Sequence, residues 1–514
     1  GGVSLACAAR GAHVVGIDSN AGMLDIARAK PVPADRGGYI EWIELGLAEI
    51  EDRFGEAHFD AIVCCLVFSE LSPDEQAYAL DIAHSRLMPR GCLVIADETL
   101  PSSTLRRLWY RMRRLPLTLV TYMLTQTSTQ PVEHLVDRIR RTMKLWQFPH
   151  WLRDTMLRMF PHRAPTGLVR VGNPGRDSPV LVTGNFTLTI RRLINVLKGH
   201  DAWLLCANSK GINVWCAAGG GHLTHHDVIS VLRTSRVSKQ VDHRELVLPQ
   251  LCATGVERRK IAEVTGWSAR WGPARLEDLP GFLGRRRRVV KGERFVRFPL
   301  WERMEMSFMW SWALIAVAAL VAWGIDSWAA GVCAVTVIVC IVGGIFAALP
   351  WLVVTGPRRW LTFGAFAAVG FGMGVGVLAA LGAVTSAHVW LAAGTAIVAM
   401  GVLSTDLAGT TPWYGSYINT FHNAAQVDLV EERCTGAAEC VQVCPRDVLE
   451  MNGHRRKVEI KRPDQCIQCG ACIVQCPEDA LRFRYDDDRI VEAATIRRTR
   501  MNMVGRRSVE LPDQ

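Results

Sequence analysis

Seven cysteines between residues 434 and 476 have the spacing of an iron–sulfur ligand set. They lie in two segments, CTGAAECVQVCP (434–445) and CIQCGACIVQCP (466–477), which form an internal repeat offset by 32 residues. The second segment has the form C-x2-C-x2-C-x3-C-P, in which the last cysteine binds the other cluster of a pair. A structural zinc site is the alternative, but zinc motifs do not usually combine this spacing with a repeat and trailing prolines. The pattern therefore predicts iron–sulfur chemistry.

The crossing rule divides these cysteines between two sites. One [4Fe–4S] cluster is expected on Cys466, Cys469, Cys472 and Cys444. The second site has only Cys434, Cys440 and Cys476, because Ala437 stands where the repeat requires a fourth cysteine. That site could hold a [3Fe–4S] cluster, a [4Fe–4S] cluster with an open iron, or no cluster. Residues 411–514 are accordingly predicted to form an α+β domain of the bacterial ferredoxin type, suited to electron transfer at low potential.

A separate cysteine, Cys216, lies in the stretch GINVWCAAGGG (211–221). Composition alone favours the end of a buried strand, with Trp215 and Cys216 in the core and the glycines in a turn. The alternative is that Cys216 starts a helix, where the N-terminal dipole favours a thiolate that could bind a metal. The residues themselves leave both interpretations open.

Two regions alternate strand-like and helical patterns, which is typical of α/β domains with parallel sheets. They cover residues 1–165 and 166–298, and both are predicted to be Rossmann-like. Asp18 ends a strand of the first region, where it could bind a ribose diol or cap the next helix. The basic and aromatic segment 101–165 is predicted to form a helical lid rather than an amphipathic surface helix.

Residues 299–410 are predicted to be a transmembrane domain because they contain four long apolar segments. The expected helices are 307–325, 328–354, 360–384 and 388–404. Arg358 and Arg359 lie in the second connection, and a basic segment, 284–297, precedes the first helix. The positive-inside rule then places the N- and C-terminal domains in the cytoplasm, at the inner membrane. The net charge of +10 is thereby explained by membrane flanks, and no nucleic-acid partner is expected.

The segment GGVSLACAARGAHVVGIDSNAGMLDIARAK, followed by FDAIVCCLVFSEL and LMPRGCLVIADE, resembles the class I S-adenosylmethionine-dependent methyltransferases. The resemblance implies that Gly1 and Gly2 lie near the methionine moiety, that Asp18 holds the ribose and that Met23 packs near the adenine. It also implies that the family's first strand and most of its glycine-rich loop are not among these residues. A truncated N-terminus is therefore expected.

The motif NVWCAAGG, with VTGNFTLT upstream and a four-helix membrane domain downstream, resembles the corrinoid protein of microbial mercury methylation. The cysteine repeat resembles the partner ferredoxin of that protein, here on the same chain. The resemblance implies that Cys216 is the lower axial ligand of cobalt. It further implies that Cys216 lies on a short cap helix, which includes Asn213, Val214, Trp215, Ala217 and Ala218. The corrinoid pocket is expected to be lined by Thr183, Asn185 and Thr189.

The expected function is membrane-anchored, corrinoid-dependent methyl transfer to Hg(II) or a related metal or metalloid. The fused ferredoxin would reduce the cobalt, and the methyl donor would be S-adenosylmethionine or a separate donor enzyme. Three departures weaken the mercury assignment: Gly220 replaces the family's lysine, Ala437 replaces a ligand, and no cysteine follows Cys476. The alternatives are a corrinoid methyl carrier of one-carbon metabolism and a membrane iron–sulfur electron-transfer protein.

Overall fold

The computed structural model describes residues 1–31, 38–97, 103–106, 108–110, 112–113, 155–156, 158, 160–285, 287, 289–325, 327–352, 354, 358–405, 407, 425–485 and 487–499. Within these ranges the chain forms an α/β domain, a second α/β domain, a group of long apolar helices and a small α+β domain. The order is the one predicted from sequence. The lid expected within 101–165 falls mostly outside the described residues.

The N-terminal domain surrounds two pairs of parallel strands with helices. Strand β1 pairs with β2, and β3 pairs with β4, but no described strand joins the two pairs. The predicted parallel sheet is therefore present as two separate halves. The strands are β1 His13–Asp18, β2 Tyr39–Glu44, β3 Phe59–Cys65 and β4 Leu87–Ala96, and the helices are α1 Gly2–Ala8, α2 Ala21–Arg28, α3 Ile50–Arg53 and α4 Pro73–Arg86.

The central domain has a five-stranded sheet of order β5-β7-β6-β8-β9, parallel except for β5. The inner strands β6 and β7 are buried along their whole length, as expected for strands covered by helices on both faces. Open α/β sheets bind ligands at the carboxyl ends of such strands. The strands are β5 Gly167–Val171, β6 Val180–Gly184, β7 Ala202–Ala207, β8 Glu245–Leu248 and β9 Ser268–Trp271, and the helices are α5 Thr187–Val196, α6 Val214–Gly219, α7 His225–Thr234, α8 Arg258–Thr265 and α9 Leu279–Gly284.

Among the described residues, four helices are long and apolar enough to cross a membrane. They span Leu300–Gly324, Trp328–Trp351, Arg359–Ala380 and Ser386–Ser404. The regular helices within them are α10 Leu300–Gly324, α11 Trp328–Ile338, α12 Gly344–Ala348, α13 Arg359–Ala380 and α14 Ser386–Thr405, with a π-helical turn at Val339–Gly343.

The predicted bounds of the first and third helices need correction. The first helix begins at Leu300 rather than at 307, because its charged first turns find partners: Arg303, for example, donates to the carbonyl of Phe346 at 3.1 Å. The third ends at Ala380 rather than at 384, where Gly382 adopts a positive φ of 63°. Positive φ is a common way for a helix to end.

The C-terminal domain combines a three-stranded antiparallel sheet of order β10-β13-β14 with the hairpin β11–β12. Short helices lie within the two cysteine motifs, so the α+β prediction is confirmed for the described residues. The strands are β10 Ala425–Leu429, β11 Leu449–Asn452, β12 Lys457–Ile460, β13 Leu481–Tyr485 and β14 Ile490–Val491, and the helices are α15 Glu439–Val443, α16 Ala471–Val474 and α17 Ala493–Arg498.

Candidate functional site

Helix α6 carries Cys216, the residue predicted to bind cobalt. Asn213 is the N-cap of this helix, and its side-chain oxygen accepts a hydrogen bond from the Cys216 N–H at 2.9 Å. The Asn213 amide also donates to Cys216 Sγ at 3.4 Å. A donor to the sulfur favours the thiolate over the thiol. The buried-strand interpretation is wrong, because β7 ends at Ala207 and Cys216 lies half-buried on a helix.

The remaining cap-helix residues divide between the core and the turn that ends the helix. Val214, Ala217 and Ala218 are buried in the core of the central domain, and Trp215 packs against it. Gly220, which replaces the family's lysine, has a φ of −81° that any residue can adopt. The φ value therefore does not require glycine, but a Cβ at this position would lie 3.0 Å from the carbonyl oxygen of Cys216.

The predicted pocket residues surround the carboxyl end of β6. Thr183 and Asn185 are buried there, and Thr189 is half-buried on α5. The side-chain oxygen of Asn185 accepts hydrogen bonds from the N–H groups of Ser209 and Gly211 at 2.9 and 3.0 Å. Asn185 therefore fastens the loop that leads to the cap helix.

A half-buried arginine, Arg158, interacts electrostatically with Cys216 of the cap helix from the segment that precedes the central domain. Burial and the neighbouring Arg192 lower the pKa of Arg158, while Glu305 and a charge on Cys216 act to raise it. Arg158 Nη1 lies 3.3 Å and Arg192 Nη2 lies 2.7 Å from Glu305 Oε2. Glu305 of helix α10 thus joins the two arginines, of which Arg158 is in electrostatic contact with Cys216. Sequence patterns missed these residues because the contacts span 147 and 113 positions and follow no motif.

The N-terminal ligand residues are less closely grouped. Asn20, not Asp18, is the N-cap of α2, so the capping interpretation of Asp18 is wrong. Asp18 Oδ1 accepts from the Asn20 N–H at 2.8 Å. Met23 is 50% exposed, and a Cβ at Gly2 would meet no atom within 4 Å.

The N-terminal and central domains contact each other through segments that follow the carboxyl ends of β3 and β7. Glu75, on α4 and after the β3 loop, is buried; its two oxygens accept from Asn208 Nδ2 at 3.0 Å and from Ser230 Oγ at 2.9 Å. Lys210 Nζ lies 2.9 Å from Glu70 Oε2. Asn208 and Lys210 belong to the loop between β7 and the cap helix, so the N-terminal domain contacts the loop that carries Cys216.

A second set of contacts follows β2. Glu49 and His226 are both buried and hydrogen-bonded across the domain boundary. Arg233 Nη2 lies 2.6 Å from Asp52 Oδ2, and Ala48 belongs to the core of the central domain. The N-terminal domain is thus packed on α7 and is not merely connected by a linker.

The predicted four-cysteine set lines one cavity in the C-terminal domain. Cys444, Cys466, Cys469 and Cys472 form part of its wall, together with apolar residues such as Leu449. The thiols are crowded: burial raises the pKa of Cys472 well above its usual value, and the charges of Cys444, Cys469 and Cys466 raise it further. A cation-rich group is needed before four thiolates can share this space.

The second predicted set also comes together. Burial raises the pKa of Cys440 to about 12, and the charges of Cys476 and Cys434 contribute to the increase. Ala437, at the position of the absent ligand, is exposed. The repeat is visible in the hydrogen bonds, since the Val448 N–H donates to Cys444 Sγ at 3.3 Å and the Ala480 N–H donates to Cys476 Sγ at 3.2 Å.

The arrangement fits iron–sulfur clusters better than zinc. Among the described residues, no three His, Cys, Asp or Glu side chains converge on a point that a single ion could occupy. Zinc holds its sulfur ligands at about 2.3 Å from one atom. Cysteines spread around a cavity instead match a group of several atoms.

Comparisons with known proteins divide the chain in the same way. Residues 1–91 match a methyltransferase domain, residues 157–283 match the CO dehydrogenase/acetyl-CoA synthase delta subunit, and residues 426–492 match a 4Fe-4S dicluster domain. Each match covers only part of the chain.

Similar curated proteins are gamma subunits of the acetyl-CoA decarbonylase/synthase complex. The protein of Methanopyrus kandleri is 35% identical over 125 residues, covering 24% of this chain and 27% of its own length. That of Archaeoglobus fulgidus is 33% identical over 125 residues (24% and 26%), and subunit gamma 2 of Methanosarcina mazei is 40% identical over 127 residues (24% and 27%). The chain spans about a quarter of the length of these relatives.

These relatives are not mercury-methylation proteins, so the comparisons favour the one-carbon alternative over the mercury assignment. Each of the three matched regions nevertheless corresponds to the type of domain expected from its residues. The chain is a multidomain protein that joins a methyltransferase domain, a domain similar to the CO dehydrogenase/acetyl-CoA synthase delta subunit and a 4Fe-4S ferredoxin-type domain.

Proposed function

We propose that this chain is a corrinoid-dependent methyl carrier of one-carbon chemistry, reduced by its own iron–sulfur domain. The observation that carries the proposal is the cap helix itself: a half-buried Cys216 with a side-chain donor to its sulfur, in a domain similar to the delta subunit. The corrinoid is held in the central domain, with Cys216 as the lower ligand of cobalt. Thr183 and Thr189 lie at the edge of the sheet where the corrinoid is bound.

The other central-domain cysteines do not compete for the cobalt. Cys206 is fully buried in β7, and burial raises its pKa to about 12. Cys252 is 1% exposed, and burial likewise raises its pKa. A cobalt ligand must be both reachable and deprotonated, so Cys216 is the fitting donor in this domain.

When bound, the corrinoid supplies a cobalt centre that takes a methyl group from a donor and passes it to an acceptor. The chain's own residues position that centre. Asn213 orients the thiolate, and Asn185 holds the loop before it. The cysteine sites supply electrons when reduction is needed.

The methyl donor is S-adenosylmethionine on the N-terminal domain. The domain contacts of Glu70, Glu75 and Glu49 all follow the carboxyl ends of strands β2 and β3, the sheet edge at which α/β domains bind cofactors. On the central domain these contacts reach the loop between β7 and the cap helix, and α7. This shared edge supports donation within the chain over donation by a separate enzyme.

Transfer to Hg(II) or a related metal is the second candidate. It is favoured by one observation, the half-buried Cys216 thiol on the cap helix, because a thiolate bound to cobalt would favour delivery of a methyl group as a carbanion equivalent. The matched relatives favour an organic one-carbon acceptor instead.

The four apolar helices anchor the protein in the cytoplasmic membrane. Arg358 and Arg359 lie at the start of the third helix, and Arg303 lies in the first turns of the first helix. Basic residues collect on the cytoplasmic side. All three soluble domains therefore face the cytoplasm.

The test uses the full chain in detergent or nanodiscs, reconstituted with corrinoid and iron–sulfur clusters and reduced with Ti(III) citrate. S-adenosyl[methyl-14C]methionine should label the protein-bound corrinoid, and labelled methyltetrahydrofolate should not. Product analysis with an organic thiol and with Hg(II) then separates the two acceptors. Protein without a corrinoid absorption spectrum would contradict the proposal and leave a membrane iron–sulfur electron-transfer protein.

A further inference from the structure

We propose that hydrogen bonds of Gln475 hold the ferredoxin-type domain against the central domain, a contact called the lock below. Electrons then leave the ferredoxin-type domain at Cys469, the Cys469 exit, which faces the cap helix. The inference rests on the proposed function for what receives the electron. The lock itself depends only on contacts between the two domains.

Gln475 is 7% exposed and lies between helix α16 and Cys476. Its Nε2 donates to the carbonyls of Ala253 and Val256, both at 2.8 Å, and its Oε1 accepts from the Arg258 N–H at 3.3 Å. All three partners belong to the central domain. The side-chain amide of Gln475 makes all three of these hydrogen bonds across the boundary, so its removal would leave buried groups of the central domain unpaired while the domains stay packed.

Charged and polar contacts between the two domains surround the hydrogen bonds of Gln475. Arg258 also forms an ion pair with Glu439, which begins α15, and the Trp271 indole donates to the same carboxylate at 3.4 Å. Arg497 lies 3.6 Å from Glu257. The backbone contributes as well, since the Val296 N–H donates to the carbonyl of Pro445 at 3.0 Å.

The apolar core is continuous across the boundary. Val443, Cys469 and Ala471 of the ferredoxin-type domain belong to the same buried cluster as Ala217 and Ala218 of the cap helix. The 3-10 turn Gln250–Thr254 lies between them and contacts both. The turn Gln250–Thr254 thus connects the domain that forms the four-cysteine cavity with the helix that carries Cys216.

A glycine makes this close packing possible. A Cβ at Gly255 would lie 2.2 Å from the carbonyl oxygen of Ala218. The chain leaving the turn therefore runs directly against the cap helix.

The two cysteine sites then have different roles. Among the seven candidate ligands, Cys469 is the one in the shared core, and it belongs to the complete site. The incomplete site has its vacant ligand position at the exposed Ala437. Each step moves one electron and no proton: the complete site is oxidised by one electron and the corrinoid is reduced by one, while dithionite or an external one-electron donor restores the site.

The test compares Gln475→Leu with the full chain and with Gln426→Leu, which alters an exposed glutamine on β10 of the same domain. Gln475→Leu removes three hydrogen bonds at nearly constant volume. Hydrogen exchange of residues 250–258 and 471–476 should accelerate at least tenfold in Gln475→Leu and stay within twofold in Gln426→Leu. Electron transfer from the dithionite-reduced clusters to bound corrinoid should slow at least tenfold, with cluster EPR signals unchanged.

Arg258→Met is the second variant, because it removes the ion pair with Glu439 across the boundary, and the substituted residue is itself not adjacent to a cysteine ligand. It should produce the same direction of change in hydrogen exchange. Unchanged exchange in both variants would overturn the lock. Faster exchange with unchanged electron transfer would overturn the Cys469 exit. Hydrogen exchange is also measured in protein without corrinoid, so the lock is tested even if the protein binds no corrinoid. Failure to bind corrinoid would contradict the proposed function alone.

Discussion

Three central-domain cysteines show how environment separates chemistry from packing. Cys206 and Cys252 are enclosed in the core, where burial raises their pKa values and disfavours the reactive thiolate. Cys216 is half-buried on a helix whose N-cap side chain donates to its sulfur. Reactivity in this domain is therefore concentrated at one thiol.

Replacing Asn213 with alanine tests that environment. Loss of the cap should destabilise the start of α6 by about 1 kcal/mol, and loss of the donor should reduce the thiolate population. We expect iodoacetamide to alkylate Cys216 several-fold more slowly at pH 7.5, measured by mass spectrometry of the Cys216 peptide. Asn195→Ala, at an exposed position on α5, serves as the control. Equal rates in all three proteins would show that the amide does not influence the thiol.

Sequence spacing points to candidate residues that stand in local motifs but not to residues whose contacts are made by the fold. The seven cysteines and Cys216 stand in recognisable motifs. Arg158 reaches Glu305 across 147 positions, and Gln475 reaches Ala253 across 222. Neither residue has a local pattern, because only the packing of domains brings its partners near. Asn185 was predicted as a pocket residue, but its hydrogen bonds to the loop before the cap helix were not predicted.

At the scale of elements, the cysteine repeat forms two similar turns with one difference. Ala438 and Gly470, 32 positions apart, both have positive φ, at 61° and 75°. The same backbone-to-sulfur bonds occur at Cys444 and Cys476. The missing ligand at Ala437 thus reflects a single side chain and not a different fold of the motif.

Ala437→Cys should complete the second site. We expect iron and acid-labile sulfide to rise toward eight per chain, and any [3Fe–4S] EPR signal to be replaced by that of a reduced [4Fe–4S] cluster. Thr435→Cys adds a cysteine two positions away, at the wrong spacing, and should leave both quantities unchanged. If Ala437→Cys binds no additional iron and the unaltered protein holds only about four irons per chain, the second site is not a cluster site.

The apolar helices were found from composition, whereas two of their ends were misplaced. The charged residues Glu305 and Arg303 led to a predicted helix start at 307, because they resemble a polar connection. Both lie within the first helix and pair with residues of other elements. Hydropathy cannot anticipate such pairing, since the partners lie far away in sequence.

Membrane orientation is tested by cysteine accessibility. Ser386 begins the fourth helix on the side predicted to face outward, and Arg358 lies on the side predicted to face the cytoplasm. An impermeant maleimide applied to intact cells should label Ser386→Cys and should label Arg358→Cys only after lysis. Labelling of both variants, or of neither, in intact cells would contradict the orientation.

At the scale of the whole molecule, the central domain is held on two sides. The N-terminal domain packs on α7 through Glu49 and Glu75, and the ferredoxin-type domain packs on the turn Gln250–Thr254 through Gln475. The domain order was predictable from sequence, but this close packing was not. From the sequence, the ferredoxin-type domain was expected to be connected only through the chain, whereas in the structure it packs directly on the central domain.

Acidification should weaken the N-terminal contact. Burial alone would raise the pKa of Glu49, but the hydrogen bond and charge of His226 outweigh it and hold the pKa below the usual 4.5. Such a group contributes stability above the unfolded-state pKa and loses it as the pH falls through the folded-state value. Hydrogen exchange of α7 should therefore accelerate below about pH 4.5.

Glu49→Gln should show faster α7 exchange already at pH 7 and a smaller further change on acidification. Glu56→Gln, at an exposed position, should follow the unaltered protein. Parallel pH profiles for Glu49→Gln and the unaltered protein would show that this carboxylate does not couple the domains.

The most direct test of the account is the Co(II) EPR spectrum of the corrinoid-loaded full chain compared with that of Cys216→Ala. We predict a spectrum without nitrogen superhyperfine splitting from an axial base in the unaltered protein. In Cys216→Ala the g-values should shift to those of cobalt lacking the sulfur ligand, while iron and sulfide content stays constant. Identical cobalt spectra in the two proteins would contradict the assignment of Cys216 as the cobalt ligand.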